Sequence, residues 1–329
     1  MIFKKLLLFL IAFTVLFSCK EDPKPKTVTV PTVKKPTARI PSSNMDSVYA
    51  FVEKQLQFGH RIPGTPEHEA CKDWLVGKFE SYGATVQEQP FKASFFDKVD
   101  QQAYNIIATY NPDHEQRVLL AAHWDSRMVA EKDADTSRQK EPIHGADDGG
   151  SGVAALLEIA RHLNDNPIDL GVDIILFDAE DNGGNNDNFT WCLGSQYWSK
   201  NKHRSDYQAE FGILLDMVGA KNAKFPKEGF SQQYAKKYHD KVWDLAQKMG
   251  YKDLFVNQTF RGINDDHWHV NRLTNIPMMD IINHDLSRNT FGSYHHTHDD
   301  NIEVIDKNVL RTVTQVVLAT IYRVSDGSF

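Results

Sequence analysis

From residue 45 onward the chain alternates two hydrophobic rhythms. Val118-Leu119-Leu120-Ala121-Ala122, Val172-Asp173-Ile174-Ile175-Leu176-Phe177 and Gly212-Ile213-Leu214-Leu215 are short, nearly unbroken apolar runs, the pattern of strands buried on both faces. Residues 276–282 form a further run with Pro277 near its start. Residues 84–93 and 102–110 alternate in part, with β-branched and aromatic side chains, and predict antiparallel strands. Val153, Leu156, Leu157 and Ala160 recur at helical spacing and predict a helix over 152–163. Helices are also expected over 45–58, over 66–82 closed by Gly83, near 194–200, over 232–249 and over 304–324. Strands and helices in alternation define an α/β fold: a mixed, centrally parallel sheet flanked by helices on both faces, with right-handed crossovers. Residues 45–329 are expected to form one domain.

The polar residues fall at particular places on this frame. His123 and Asp125 follow the first apolar run, Asp178, Glu180 and Asp181 the second, and Asp216 the third. All stand at carboxyl ends of expected strands, the edge at which open α/β sheets bind ligands. Asp147 and Asp148 sit in Gly145-Ala146-Asp147-Asp148-Gly149-Gly150, a glycine-rich turn running into the 152–163 helix. Taken alone, Asp and Gly before a helix also describe an N-cap.

Carboxylates and imidazoles at this density repel or titrate unless a cation neutralises them, and a mixed Asp, Glu and His set suits zinc. Late in the chain Tyr294-His295-His296-Thr297-His298-Asp299-Asp300 adds imidazoles. Asp148, Asp181 and His296 could supply the three protein ligands of an open zinc site, leaving the adjacent Glu180 free as a general acid and base. The plainer readings are a surface histidine cluster, an acidic turn at Glu180-Asp181, and Asp299-Asp300 capping the following helix.

The N-terminus changes the picture of location. Lys4 and Lys5 precede an apolar run over 6–17 that suits a signal-peptide core and is too short to span a bilayer. Leu16-Phe17-Ser18-Cys19 resembles the lipobox of bacterial lipoproteins, with Phe17 where a small residue is usual. The Lys20-Glu21-Asp22 that follows is similar to the tag of Bacteroidetes surface lipoproteins. Residues 1–18 are thus expected to be a signal peptide and 19–44 a lipidated Cys19 with a flexible, Pro- and Lys-rich tether, giving an exported lipoprotein of the periplasm or outer-membrane surface. A plain signal peptide with a chance cysteine is the alternative. Cys71 and Cys192 then lie where disulfides can form, and spacing leaves their pairing open. A formal charge of −7 argues against a nucleic-acid binder, since phosphate binding wants a basic surface.

Taken together, the motifs resemble the M28 zinc-peptidase superfamily and, within it, the animal-type (type II) glutaminyl cyclases. His123-Trp124-Asp125-Ser126, Gly145-Ala146-Asp147-Asp148 and Phe177-Asp178-Ala179-Glu180-Asp181 are similar to superfamily motifs. Leu214-Leu215-Asp216-Met217-Val218-Gly219-Ala220, Asn264-Asp265-Asp266-His267 and His296-Thr297-His298-Asp299-Asp300-Asn301 are similar to cyclase motifs. Asp181 stands where the animal enzymes have Glu, Asn264 where they have Gln, and His295 where they have a pocket Trp.

The resemblance implies a zinc-dependent glutaminyl-peptide cyclotransferase, a monomer with one zinc ion on Asp148, Asp181 and His296, acting on peptides or proteins with N-terminal glutamine. It implies Glu180, Asp216 and Asp265 as catalytic, and Trp191, Phe291, Asn264 and His295 as substrate-binding. His123 and Asp125 are expected behind the ligands, Asp125 orienting His123. Membrane contact is expected only through the lipid at Cys19. Two alternatives stand. One is a di-zinc M28 aminopeptidase with His123, Asp148 and Asp216 on the second metal. The other is a surface lipoprotein that uses the fold only to bind.

Overall fold

The structure, a computed structural model, describes residues 37–184 and 187–329. The expected signal peptide, Cys19 and most of the tether lie outside the described residues. The tether's last residues, 38–44, are laid onto the folded part. Ala38 N–H donates to Asp326 (2.7 Å), Ser43 N–H to Gln315 (2.8 Å) and Asn44 N–H to Glu158 (2.9 Å), and Ala38 and Ile40 pack on the core. The packed chain therefore begins some residues before Met45.

Helix α1, Met45–Leu56, starts where Asn44 accepts the amides of Asp46 and Ser47. Helix α2, Pro66–Ser81, has Thr65 as cap and Pro in its first turn. Strands β1 (Thr85–Phe95) and β2 (Lys98–Tyr110) form an antiparallel hairpin. Then follow β3 (Arg117–His123), α3 (Gly150–Asp165), β4 (Gly171–Phe177), α4 (Leu193–Lys200) and β5 (Phe211–Asp216). After them come β6 (Phe225–Lys227), α5 (Gly229–Tyr234), α6 (Lys236–Lys248), β7 (Phe255–Thr259), α7 (Asp266–Leu273), β8 (Met278–Ile282) and α8 (Lys307–Asp326).

The single helix expected over 232–249 is two. Glu228 caps α5 by accepting the amides of Phe230 and Ser231, and Ala235, at φ −123°, leaves the helical region before α6 begins. The closing helix starts at Lys307 rather than 304 because Asp306 accepts the amides of Asn308 and Val309. The β6–β7 pair and α7 were not expected from the sequence.

The main sheet runs β1-β2-β4-β3-β5-β8, with β2 antiparallel to β4 and the β4-β3-β5-β8 core parallel. Side-chain alternation explains the apolar runs. Val118, Leu120 and Ala122 of β3 join the core that holds α1, α3 and α8, while Leu119 and Ala121 point to the opposite face, toward Trp198 of α4 and Val270 of α7. Both faces are covered, so the parallel strands are mainly apolar, with Asp173 of β4 and Asp280 of β8 buried within them. Polar side chains gather at their carboxyl ends. His123 and Asp216 are the last residues of β3 and β5, and Asp178 follows β4.

Candidate active site and metal centre

The 145–149 turn is fixed from several sides. Arg61, buried, donates from Nε to Trp124 O and from its two terminal nitrogens to His144 O and Gly145 O, each at 2.8 Å. Asp300 accepts the amide of Asp147 at 2.8 Å and that of Asp148 at 3.2 Å. Asp147 accepts Gly219 N–H at 2.6 Å and the Tyr294 hydroxyl. Burial pushes its carboxyl up to about 6. The α3 N-terminus has no side-chain cap, so the capping reading of Asp147-Asp148 does not hold. Nor does Asp300 cap a helix; it holds this turn.

Two glycines allow the close packing. A Cβ at Gly149, where φ is +81°, would lie 2.8 Å from the His123 ring, and one at Gly152 would lie 2.1 Å from Leu215 O.

Past β4 the chain turns sharply at Ala179, with φ +53°. Asp125 accepts the amides of Glu180 (3.0 Å) and Asp181 (3.2 Å) and the side-chain amide of Asn182 (3.1 Å). Its oxygens shape the turn that carries Glu180 and Asp181, and Oδ1 also stands 3.5 Å from His123 Nδ1. Positive φ recurs at Cys192 (+54°), Met217 (+48°) and His296 (+60°). Strained non-glycine residues therefore gather around this site.

The expected metal ligands converge from three distant segments. His296 Nε2 lies 3.0 Å from Asp181 Oδ1 and 3.9 Å from Asp148 Oδ2. His123 Nε2 lies 3.0 Å from Asp148 Oδ1 and 3.3 Å from Asp216 Oδ1. His295, expected to bind substrate, stacks on His296 with ring centroids 3.7 Å apart, and its Nε2 is 3.8 Å from Asp148 Oδ2. Asp148, His295 and His296 thus form one possible donor group, and His123, Asp148 and Asp216 another. Glu131, which sequence reasoning missed, lies against His296 Nδ1 at 2.6 Å and accepts from Arg127 Nε at 2.7 Å.

A cavity of about 450 Å³ opens over these groups, and Glu180, Asp216, Asp265, Asn264, Trp191, Phe291, His295 and His296 all contribute to its lining. Burial pushes the Glu180 carboxyl well above the usual carboxylate range, and Asp181, Asp265 and Asp266 add to the shift. Burial likewise pushes Asp216 up to about 8 and raises Asp265. Buried acids with raised proton affinity in a cleft are suited to proton transfer. Trp191 lies parallel to His296, centroids 6.1 Å apart, under the Arg127 guanidinium at 4.7 Å. Phe291 packs on His295 at 4.6 Å. The Asn264 amide is engaged by Asn188 O and the His269 ring, both at 3.0 Å. The structure thus brings every expected site residue to one edge of the sheet.

This sheet, its metal turn and its acidic edge define a metallopeptidase-type fold, and the Peptidase family M28 profile matches residues 105–321. The chain belongs to that family. More particularly, the solved Bacteroides thetaiotaomicron glutaminyl cyclase bound to N-acetylhistamine is 46% identical, with a TM-score of 0.84, covering 86% of this chain and 99% of that one. Glutaminyl-peptide cyclotransferase of Drosophila melanogaster is 24% identical, over 75% of this chain and 72% of its own length. Aminopeptidase YwaD of Bacillus subtilis (strain 168) is 27% identical over 275 residues, 79% of this chain and 54% of the relative, so the chain spans about half of that protein's length.

Proposed function

We propose that the chain is a zinc-dependent glutaminyl-peptide cyclotransferase, which converts N-terminal glutamine of peptides and proteins to pyroglutamate and releases ammonia. The observation that carries this reading is Glu180, a buried carboxyl of raised proton affinity, lining one cavity with Asp216, Asp265 and Trp191 beside a cluster of metal donors. The 46% identity to a solved glutaminyl cyclase supports it.

The donor chemistry suits zinc. Carboxylate oxygens and an imidazole nitrogen are both zinc ligands, and three protein donors leave the open position a catalytic ion needs; Asp181 Oδ2 is buried without a hydrogen-bond partner. Asp148, Asp181 and His296 would hold one ion. When bound, zinc supplies Lewis acidity toward the side-chain amide carbonyl of the substrate.

The nucleophile is the substrate's own α-amine, so the reaction is intramolecular, and the protein's work is to fix a folded rotamer and exclude water. Trp191 and Phe291 enclose the glutamine side chain, with Asn264 and His295 completing the wall. Glu180 takes a proton from the attacking amine and returns it to the departing amide nitrogen. Asp216 and Asp265 flank Glu180 and steady the charge that develops as the amine attacks.

Residues 45–329 form the catalytic domain and act as a monomer. The leader and Cys19 make it an exported lipoprotein, held by lipid in the periplasm or at the outer-membrane surface. The support for this is the Lys4-Lys5 start, the apolar run and the Leu16-Phe17-Ser18-Cys19 motif.

A second reading, a di-zinc aminopeptidase, draws on the His123, Asp148 and Asp216 group and on the Bacillus relative. Incubating the zinc-loaded protein with a glutamine-initiated dipeptide separates the two. Ammonia and a product lighter by the mass of ammonia are expected. Free glutamine without ammonia would overturn the cyclase reading and make His123 and Asp216 ligands.

A further inference from the structure

We propose that Cys192 is a positioning residue whose S–H holds the carboxylate of Glu180 in its working orientation. The inference rests on the reading of Glu180 as the group that moves the proton.

Cys192 is fully buried, directly after the cavity-lining Trp191. Its backbone sits in the left-handed region at φ +54°, a conformation that few non-glycine residues occupy without a surrounding structure that imposes it. That structure is on hand. Cys192 N–H donates to Glu180 O at 2.9 Å, Leu193 N–H to Ala179 O at 3.0 Å and Gly194 N–H to Asp178 O at 2.9 Å. Three consecutive amides thus strap the start of α4 to the stretch that carries Glu180.

The strap fixes where the thiol goes. Cys192 Sγ lies 3.2 Å from Glu180 Oε1, within reach of an S–H donor, and no other side chain among the described residues hydrogen-bonds that carboxylate. Cys192, Glu180 and Asp265 present their ligand-type atoms within 4.8 Å of one another, so the thiol stands inside the acid cluster rather than behind it. Burial and the surrounding carboxylates keep the thiol protonated, so it is available as a donor.

The choice of sulfur has a chemical logic. A lysine or arginine at this position would orient Glu180 equally well, but it would place a positive charge beside a group whose work is to accept a proton. A thiol is a weak, neutral donor. It restrains the rotamer while adding no charge to the cavity.

The test uses the zinc-loaded protein and two readouts. The first is the S–H stretching band in an infrared difference spectrum between wild type and Glu180→Leu, which removes the acceptor and in which the other cysteines cancel. A shift of the Cys192 band toward higher frequency is expected, and an unmoved band overturns the proposal. The second is kinetic. Cys192→Ala should lower kcat about tenfold or more with KM and zinc content unchanged, and Cys192→Ser, which restores a neutral donor, should recover most of the loss. A kcat in Cys192→Ala within about twofold of wild type, where a hydrogen bond donated to a charged carboxylate should be worth about tenfold, overturns it as well. Full turnover in Glu180→Gln would instead remove the role of Glu180, a failure the infrared band distinguishes from loss of the hydrogen bond itself.

Discussion

His296 Nδ1 lies 2.6 Å from Oε1 of Glu131, from a segment 165 residues earlier. A carboxylate oxygen only accepts, so Nδ1 carries a proton toward Glu131, while Nε2 faces Asp181 at 3.0 Å and Asp148 at 3.9 Å and is the nitrogen that would turn its lone pair to a zinc ion held between them. Hydrogen bonds from His296 and Arg127 outweigh the burial that pushes Glu131 up, and hold its carboxyl at about 2. The pair is the carboxylate–histidine arrangement that raises ligand basicity at zinc sites. Glu131→Ala should weaken zinc binding by about 10- to 100-fold, measured by competition with a chromophoric chelator. Unchanged affinity would mean that the orientation of His296 is set elsewhere.

Glu180 and Asp181 are neighbours in sequence with different surroundings. Both line the cavity, but Asp181 lies against His296, while Glu180 stands with Cys192 and Asp265. Glu180→Gln keeps the volume and removes the proton acceptor. Its kcat should fall by about 10² to 10⁴ while zinc content by elemental analysis stays at the wild-type value. Loss of zinc together with activity would move Glu180 into the ligand set.

Asp300 is buried and its carboxylate accepts the amides of both Asp147 and Asp148. Asp300→Asn replaces one acceptor with a donor facing an N–H, which should cost about 1–3 kcal/mol and loosen the turn that presents Asp148. Urea unfolding should show the loss of stability. Zinc affinity should drop with it, although Asp300 is outside the proposed ligand set and acts on the ion only through the turn.

These contacts show what the sequence could and could not disclose. His123, Asp178 and Asp216 were legible because an apolar run buried on both faces ends abruptly at a polar residue, and the parallel topology sends those ends to one edge. That Asp148, Asp181 and His296 lie together was legible because zinc chemistry narrows which residue types are expected to gather. Glu131, Arg61 and Tyr294 were not, because each acts through a partner 63 to 165 residues away and has no periodicity of its own. Asp300 was misread for the same reason. An acid just before a short helical turn looks like a cap until its true partner, 152 or 153 residues distant, is seen. Strands β6 and β7, of three and five residues, are too short to leave a pattern.

Glu158 offers a stability test away from the metal. It is fully buried on α3 and gathers Asn44 N–H (2.9 Å), the Ser47 hydroxyl (2.9 Å), Arg161 (2.7 and 2.9 Å) and His162 (3.1 Å). It thereby ties the start of α1 to α3. Burial pushes the carboxyl up, but hydrogen bonds from His162, Arg161 and the Asn44 amide outweigh it and bring it from 4.5 to about 2. A carboxyl with folded affinity below its unfolded one stabilises the fold above the unfolded value. That stability is fully present above about pH 4.5, declines as pH falls, and is gone below about pH 2. Glu158→Gln should therefore be less stable than wild type at pH 7 by about 1–3 kcal/mol in urea unfolding. The difference should shrink progressively between about pH 4.5 and 2. A difference that stays constant through that window would show that the Glu158 contacts act through packing and geometry rather than through its charge.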